Sequence, residues 1–132
     1  MTRIESLDPE GHHRPVRGYY SQTMRVESGP LVFVSGTAPL DAGGRLVGPG
    51  DASVQARAVL ENLRVALQAH GAELSDLVSL DVFLAQAADY EAVGAVRSEF
   101  FPYAGPTGIL VVGAMPPLPG VLVTMRGIAA PG

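Results

Sequence analysis

Apolar positions recur along this chain with two periods. Ala56, Leu60, Leu63 and Leu67 follow one another at helical spacing, Val59 and Ala66 widen the stripe, and Arg57, Glu61, Arg64 and Gln68 take the opposite side. That pattern predicts an amphipathic helix, capped at its start by Asp51 or Ser53, running to about His70 and closed by Gly71. A second stripe of Tyr90, Val93, Val96, Phe100 and Phe101 predicts another helix, opened by Asp89 and ended by Pro102. Between and around the helices the period falls to two. Residues 18–26 and 31–36 read as strands joined into a hairpin by the turn residues Glu27, Ser28, Gly29 and Pro30. Val78, Leu80, Val82 and Leu84 alternate with Ser79 and Asp81 in a third strand, and residues 107–114 and 121–128 make two more on either side of a proline-rich turn. Residues 45–47 form a candidate short strand inside a glycine-rich connection.

The last two strands are apolar on both faces: Ile109 and Val111 point one way, Leu110 and Val112 the other. Two helices can cover only one face of a sheet. The other face therefore calls for closure into a barrel or for another copy of the chain.

Composition narrows the chemistry. A chain of 132 residues with 47% hydrophobic and 17% charged residues is expected to form one globular domain, here residues 17–130, behind an irregular arm at 1–16 that carries Pro9 and Pro15. No apolar run approaches the ~18 residues of a membrane span, and the first residues lack the apolar core of a signal peptide, so no membrane partner and a cytoplasmic location are expected. There is no cysteine, and all nine basic residues are arginine. Thiol nucleophiles, cysteine-ligated metals and lysine Schiff bases are excluded. The net charge of −4, with the arginines scattered, argues against a nucleic-acid partner. His12 and His13 are adjacent in the arm, a spacing that suits solvated side chains better than a metal pair, and no metal or other cofactor is expected. The loop at 41–50 has neither phosphate-binding glycine motif and reads as turn chemistry.

Several segments in order resemble the YjgF/RidA family of reactive-intermediate deaminases: GYYSQ at 18–22, LVFVSGTAPLDAGGRLV at 31–47, QARAVLENL at 55–63, GAELSDLV at 71–78, DVFLAQAADYEAV at 81–93, EFFP at 99–102 and GIA at 127–129. The resemblance implies an α+β, chorismate-mutase-like fold with a mixed β-sheet, two helices on one face, and a homotrimer with ligand clefts between subunits. It places Tyr20 and Ser35 in the cleft, with Gly36, Thr37, Gly94, Tyr103, Thr107 and Gly108 around the ligand. Three positions depart from the family's pattern. Gly108 stands where deaminating members carry the arginine that clamps the substrate carboxylate, Gly94 where they carry an asparagine, and Arg126 where they carry a glutamate.

A guanidinium orients and neutralises a carboxylate, and glycine does neither. The resemblance therefore implies a cofactor-free enzyme working by proton transfer or hydrolysis on a small reactive enamine, imine or enol, outside standard 2-iminobutyrate deamination. Tyr20 would move a proton, Ser35 would hold a carbonyl oxygen or water, and Arg126 would anchor an acidic group; the alternative for Arg126 is an inter-subunit salt bridge. An arginine returned to position 108 is expected to restore simple imine hydrolysis. The competing function is a non-catalytic trimeric module that binds a small metabolite or a partner.

Overall fold

In the computed structural model, which describes residues 2–102, 104–114 and 118–132, the first apolar stripe becomes the inner face of helix α1 (Ala52–Gln68). Ala56, Val59, Leu60, Leu63 and Leu67 are fully buried, each large side chain contributing about 1.5–3 kcal/mol relative to exposure. Asp51 caps the helix by accepting the Val54 N–H at 3.1 Å. Gly71, at φ +70°, lets the chain leave it. Helix α2 (Tyr90–Phe100) packs on α1 through Val93 and Val96.

The helices cover one face of a four-stranded mixed sheet built from β3 (Val32–Thr37), β4 (Leu77–Leu84), β5 (Leu110–Val112) and β6 (Val123–Ala129) in the order β3-β6-β4-β5. β6 runs antiparallel to both β3 and β4, and β5 runs parallel to β4. Leu80, Val82, Leu84, Val123 and Met125 point to the helices and are fully buried. Asp81, Phe83, Thr124 and Arg126 alternate with them on the opposite face. That face keeps Phe33 70% exposed and leaves Val111 open as well. The fold class, an α+β mixed sheet with two helices on one face, is as the sequence resemblance implied.

Gln55 is buried on α1 and fully used. Its amide donates to the carbonyls of Gly48 (3.1 Å) and Gly120 (3.0 Å), and its oxygen accepts the Leu122 N–H at 2.8 Å. Asn62 donates to the carbonyls of Ala38 and Leu40. Together these two amides fasten the 38–50 connection to the helix. The connection is turn chemistry: Asp41 accepts the N–H groups of Gly43 and Arg45, and Gly44, Gly48 and Gly50 adopt positive φ.

Four sequence expectations change. The arm at 1–16 contains a strand, β1 (Arg3–Leu7). The expected hairpin of 18–26 with 31–36 does not form: β2 (Thr23–Glu27) pairs with β1 instead, in a separate two-stranded sheet, and β3 pairs with β6. The physical reason is that β1 offers β2 a matched alternation, Ile4 opposite Val26 and Ser6 opposite Met24. Ile4 and Met24 then line a cavity of about 330 Å³ together with Leu74, Leu77, Phe100 and Phe101. The candidate strand at 45–47 reduces to a single bridge between Leu40 and Leu46. Of residues 107–114 only Leu110–Val112 is regular strand, preceded by a bridge from Thr107 to Ser79.

Candidate functional site

The tandem tyrosines are held against the entry to β5 by their own neighbours. Ser21 donates its hydroxyl to the Gly105 carbonyl at 2.6 Å and its N–H to the Pro106 carbonyl at 3.4 Å, while Ser6 donates to the Ser21 hydroxyl at 2.7 Å. Gly105 is required there, because a side-chain carbon on it would lie 1.9 Å from the Tyr19 carbonyl oxygen. On α2, Tyr90, Gly94 and Arg97 fall on one face at helical spacing. Gly94 makes room for Tyr19: the Tyr19 hydroxyl lies 3.2 Å from the place a Cβ would take.

These pieces enclose a cavity of about 340 Å³. Tyr19, Tyr20, Tyr90, Arg97 and Gly108 line it, with Ile109 and Leu110 supplying apolar wall. Three phenols and one guanidinium thus meet a largely hydrophobic surface, the composition of a small-molecule site.

The electrostatics are unusual at Arg97. The residue is 6% exposed, its guanidinium carbon stands 4.5 Å from the centroid of the Tyr19 ring, and its Nε has no hydrogen-bond partner among the described residues. No carboxylate pairs with it among those residues, and burial lowers its pKa from the ordinary arginine value. Tyr19 is pushed up, first by burial and then by the neighbouring Tyr90. Tyr90 is pulled down, chiefly by the Arg17 guanidinium, which stands 5.4 Å from its ring centroid and also pairs with Glu91 at 2.5 Å. Tyr20 accepts the Val16 N–H at 2.9 Å, which leaves its own hydroxyl proton available.

The expected site residues separate into groups. Tyr20 and Gly108 share the cavity, and Gly94 backs it behind Tyr19. Thr107 adjoins it, but its hydroxyl donates to the Val78 carbonyl at 2.6 Å and serves the β4 contact. Ser35, Gly36 and Thr37 lie at the end of β3, where the pairing with β6 shifts register between Val34 and Thr37; Thr37 donates to the Ser35 carbonyl at 2.9 Å. Arg126 is on the helix-free face, 61% exposed, with its Nε donating to Asp81 at 2.9 Å and its guanidinium 5.7 Å from the Phe83 ring centroid. It lines a separate cavity of about 210 Å³ with Phe33, Ser79 and Asp81. Asp81 also accepts the Ile109 N–H at 3.1 Å. Tyr103 lies outside the described residues. His12 and His13 are exposed, and among the described residues no group of three His, Cys, Asp or Glu side chains could hold a metal.

Tyr19, Tyr90 and Arg97 are the residues that sequence reading missed. The signal was there for Arg97: it sits four residues after Val93 and three before Phe100, inside the apolar stripe of α2, where an arginine is out of pattern.

Residues 11–131 match the family described as endoribonuclease L-PSP. The 3-aminoacrylate deaminase RutC of Acinetobacter baylyi is 37% identical over 114 residues, 86% of this chain and 88% of that protein. Protein DfrA of Myxococcus xanthus is 37% identical over 100 residues, 75% of this chain and 76% of that protein. Among solved structures, the Rid-family protein YyfB from Yersinia pestis superposes with a TM-score of 0.86 at 27% identity, covering 96% of this chain and 98% of that one. The YjgF protein of E. coli gives 0.67 at 25% identity, covering 77% and 81%.

Proposed function

Because this chain belongs to the endoribonuclease L-PSP family, the YjgF/RidA proteins, we propose that it is a cofactor-free enzyme of the deaminase type acting on a small reactive imine, enamine or enol. The observation that carries this reading is the cavity lined by Tyr19, Tyr20 and Tyr90 beside a buried cation. For an imine, water adds its oxygen to the imine carbon as the nitrogen takes up a proton; the carbon–nitrogen bond then breaks, releasing ammonia and leaving the carbonyl compound. An enamine first takes a proton on carbon to become that imine. Tyr20, whose hydroxyl proton is uncommitted, is the proton donor and acceptor.

The same reading makes the protein a cytoplasmic homotrimer. Subunits would meet on the helix-free face, where Phe33 and Val111 are open. Ser35, at the shifted end of β3, and Arg126, whose terminal nitrogens remain beyond its Asp81 contact, would then complete the cleft from that side. Ribonuclease activity fits poorly, since thirteen acidic residues face nine arginines. Among the described residues no helix is long and apolar enough to cross a membrane.

The test is release of ammonia and 2-keto acid from freshly generated imines and from an enamine of the 3-aminoacrylate type. Turnover is expected with at least one of these, with 2-iminobutyrate among the poorest because glycine occupies position 108. Tyr20→Phe should lower kcat by about 10²–10⁴-fold. Rates no faster than spontaneous hydrolysis for every compound would leave a binding module in place of an enzyme.

A further inference from the structure

Arg97 presents a problem that the fold alone does not resolve. A guanidinium stays protonated in proteins, and burying a charge without a counter-ion is unfavourable. Arg97 is nevertheless buried on α2 with no carboxylate partner among the described residues and with an orphaned Nε. Its contact with the Tyr19 ring offsets part of the cost, since a cation is attracted to an aromatic face. The remainder is met by nothing else described in the chain. Arg97 lines the 340 Å³ cavity, so an anion entering from solvent would come up against this residue.

We infer that Arg97 is the anion anchor of this cavity, and that its ligand is a carboxylate carrying a flat apolar substituent. The inference deepens the functional reading above and rests on that cavity being the ligand site. Three features set the ligand's chemistry. A single planar guanidinium matches the two oxygens of a carboxylate in the plane of its fork. The cavity volume lies at the lower end of the ~300–1,000 Å³ range of ligand pockets, with room beyond the carboxylate for more than a methyl or ethyl group. Ile109, Leu110 and the rings of Tyr20 and Tyr90 would flank that substituent, favouring an unsaturated or aromatic group over a polar one. Anchoring from α2 also differs in direction from anchoring at position 108, which lies on the approach to β5. The reacting carbon of a short imino acid held by Arg97 would therefore not sit where a strand arginine would put it.

Calorimetric titration with phenylacetate, its neutral counterpart phenylacetamide, propionate and inorganic phosphate tests this on the intact protein. Phenylacetate should bind about 10–100-fold more tightly than phenylacetamide, the range of a charge-assisted contact, and more tightly than propionate or phosphate. Equal binding of phenylacetate and phenylacetamide, no binding of either, or tighter binding of phosphate overturns the inference. Arg97→Met should remove the preference for phenylacetate over phenylacetamide while keeping or raising the melting temperature, because an uncompensated buried charge gives way to an apolar side chain of similar reach. A purely structural arginine would instead lower the melting temperature and leave the preference intact. Arg97→Lys, which keeps the cation without the fork, should retain part of the preference; full loss in both variants with unchanged folding still places the anion on residue 97. Carboxylate binding without turnover of any imine would overturn the enzymatic reading and leave this one standing. Turnover unaffected by Arg97→Met would do the reverse.

Discussion

A side-chain carbon on Gly108 would stand 1.9 Å from the carbonyl oxygen of Leu80. The approach belongs to the parallel junction of β4 with the entry to β5, where the Leu80 N–H donates to the Thr107 carbonyl at 2.8 Å and the Val82 N–H to the Ile109 carbonyl at 2.9 Å. Gly108 is thus more than an absent clamp. The backbone here is placed where no side chain fits, which corrects the expectation that an arginine returned to this position would restore imine hydrolysis. Gly108→Ala should destabilise the protein by about 1–3 kcal/mol, as overpacking does, and Gly108→Arg at least as much without gain of 2-iminobutyrate turnover. Denaturant unfolding beside the keto-acid assay checks both; a stable, newly active Gly108→Arg protein would refute the account.

Arg126 and Asp81 face each other across β6 and β4, yet the two ends of this ion pair are not equivalent. Asp81 also holds the Ile109 N–H, and its side chain is far less exposed than that of Arg126. Arg126→Ala should cost no more than about 1 kcal/mol, the range of exposed pairs. Asp81→Ala should cost about 1–3 kcal/mol, because it leaves the Ile109 N–H and the Arg126 guanidinium without their acceptor. Urea midpoints of the two variants, measured side by side, should show this order.

The open side chain of Phe33 gives a handle on assembly. With subunits meeting on the helix-free face, Phe33→Glu should convert a trimer to monomers in sedimentation while leaving the circular dichroism of the helices intact. A wild-type protein that sediments as a monomer at micromolar concentration would remove the basis for an inter-subunit cleft.

Tyr90 and Tyr19 should titrate on opposite sides of the ordinary tyrosine value of 10.0. Tyr90 lies below it, so between its folded value and 10.0 the unfolded chain holds more protons. Its contribution to stability is complete above 10.0 and is lost as pH falls through the folded value. Tyr19 lies above, so its contribution is complete below 10.0 and is lost as pH rises through its own folded value. Phenolate absorbance during alkaline titration should show an early step that Tyr90→Phe abolishes and Arg17→Gln moves upward. An unmoved early step in the Arg17 variant would show that the guanidinium is not its cause.

Both helices and the β4 and β6 strands could be placed from sequence because their signals are local. The stripe from Ala56 to Leu67 repeats within a few turns, and the alternation of Leu80, Val82 and Leu84 needs only neighbours two residues away. The family, too, was legible, since its segments keep their order along one short chain. Partnership was decided elsewhere. That β2 joins β1 rather than β3, and that β6 lies between β3 and β4, depends on which apolar faces find cover, a matter settled between residues far apart in sequence. The candidate site follows the same division. Tyr20 and Gly108 could be singled out one by one, but Arg97 gains its meaning only when α2 folds it under the ring of Tyr19, with burial stripping water from a cation that no acidic side chain described here has come to meet.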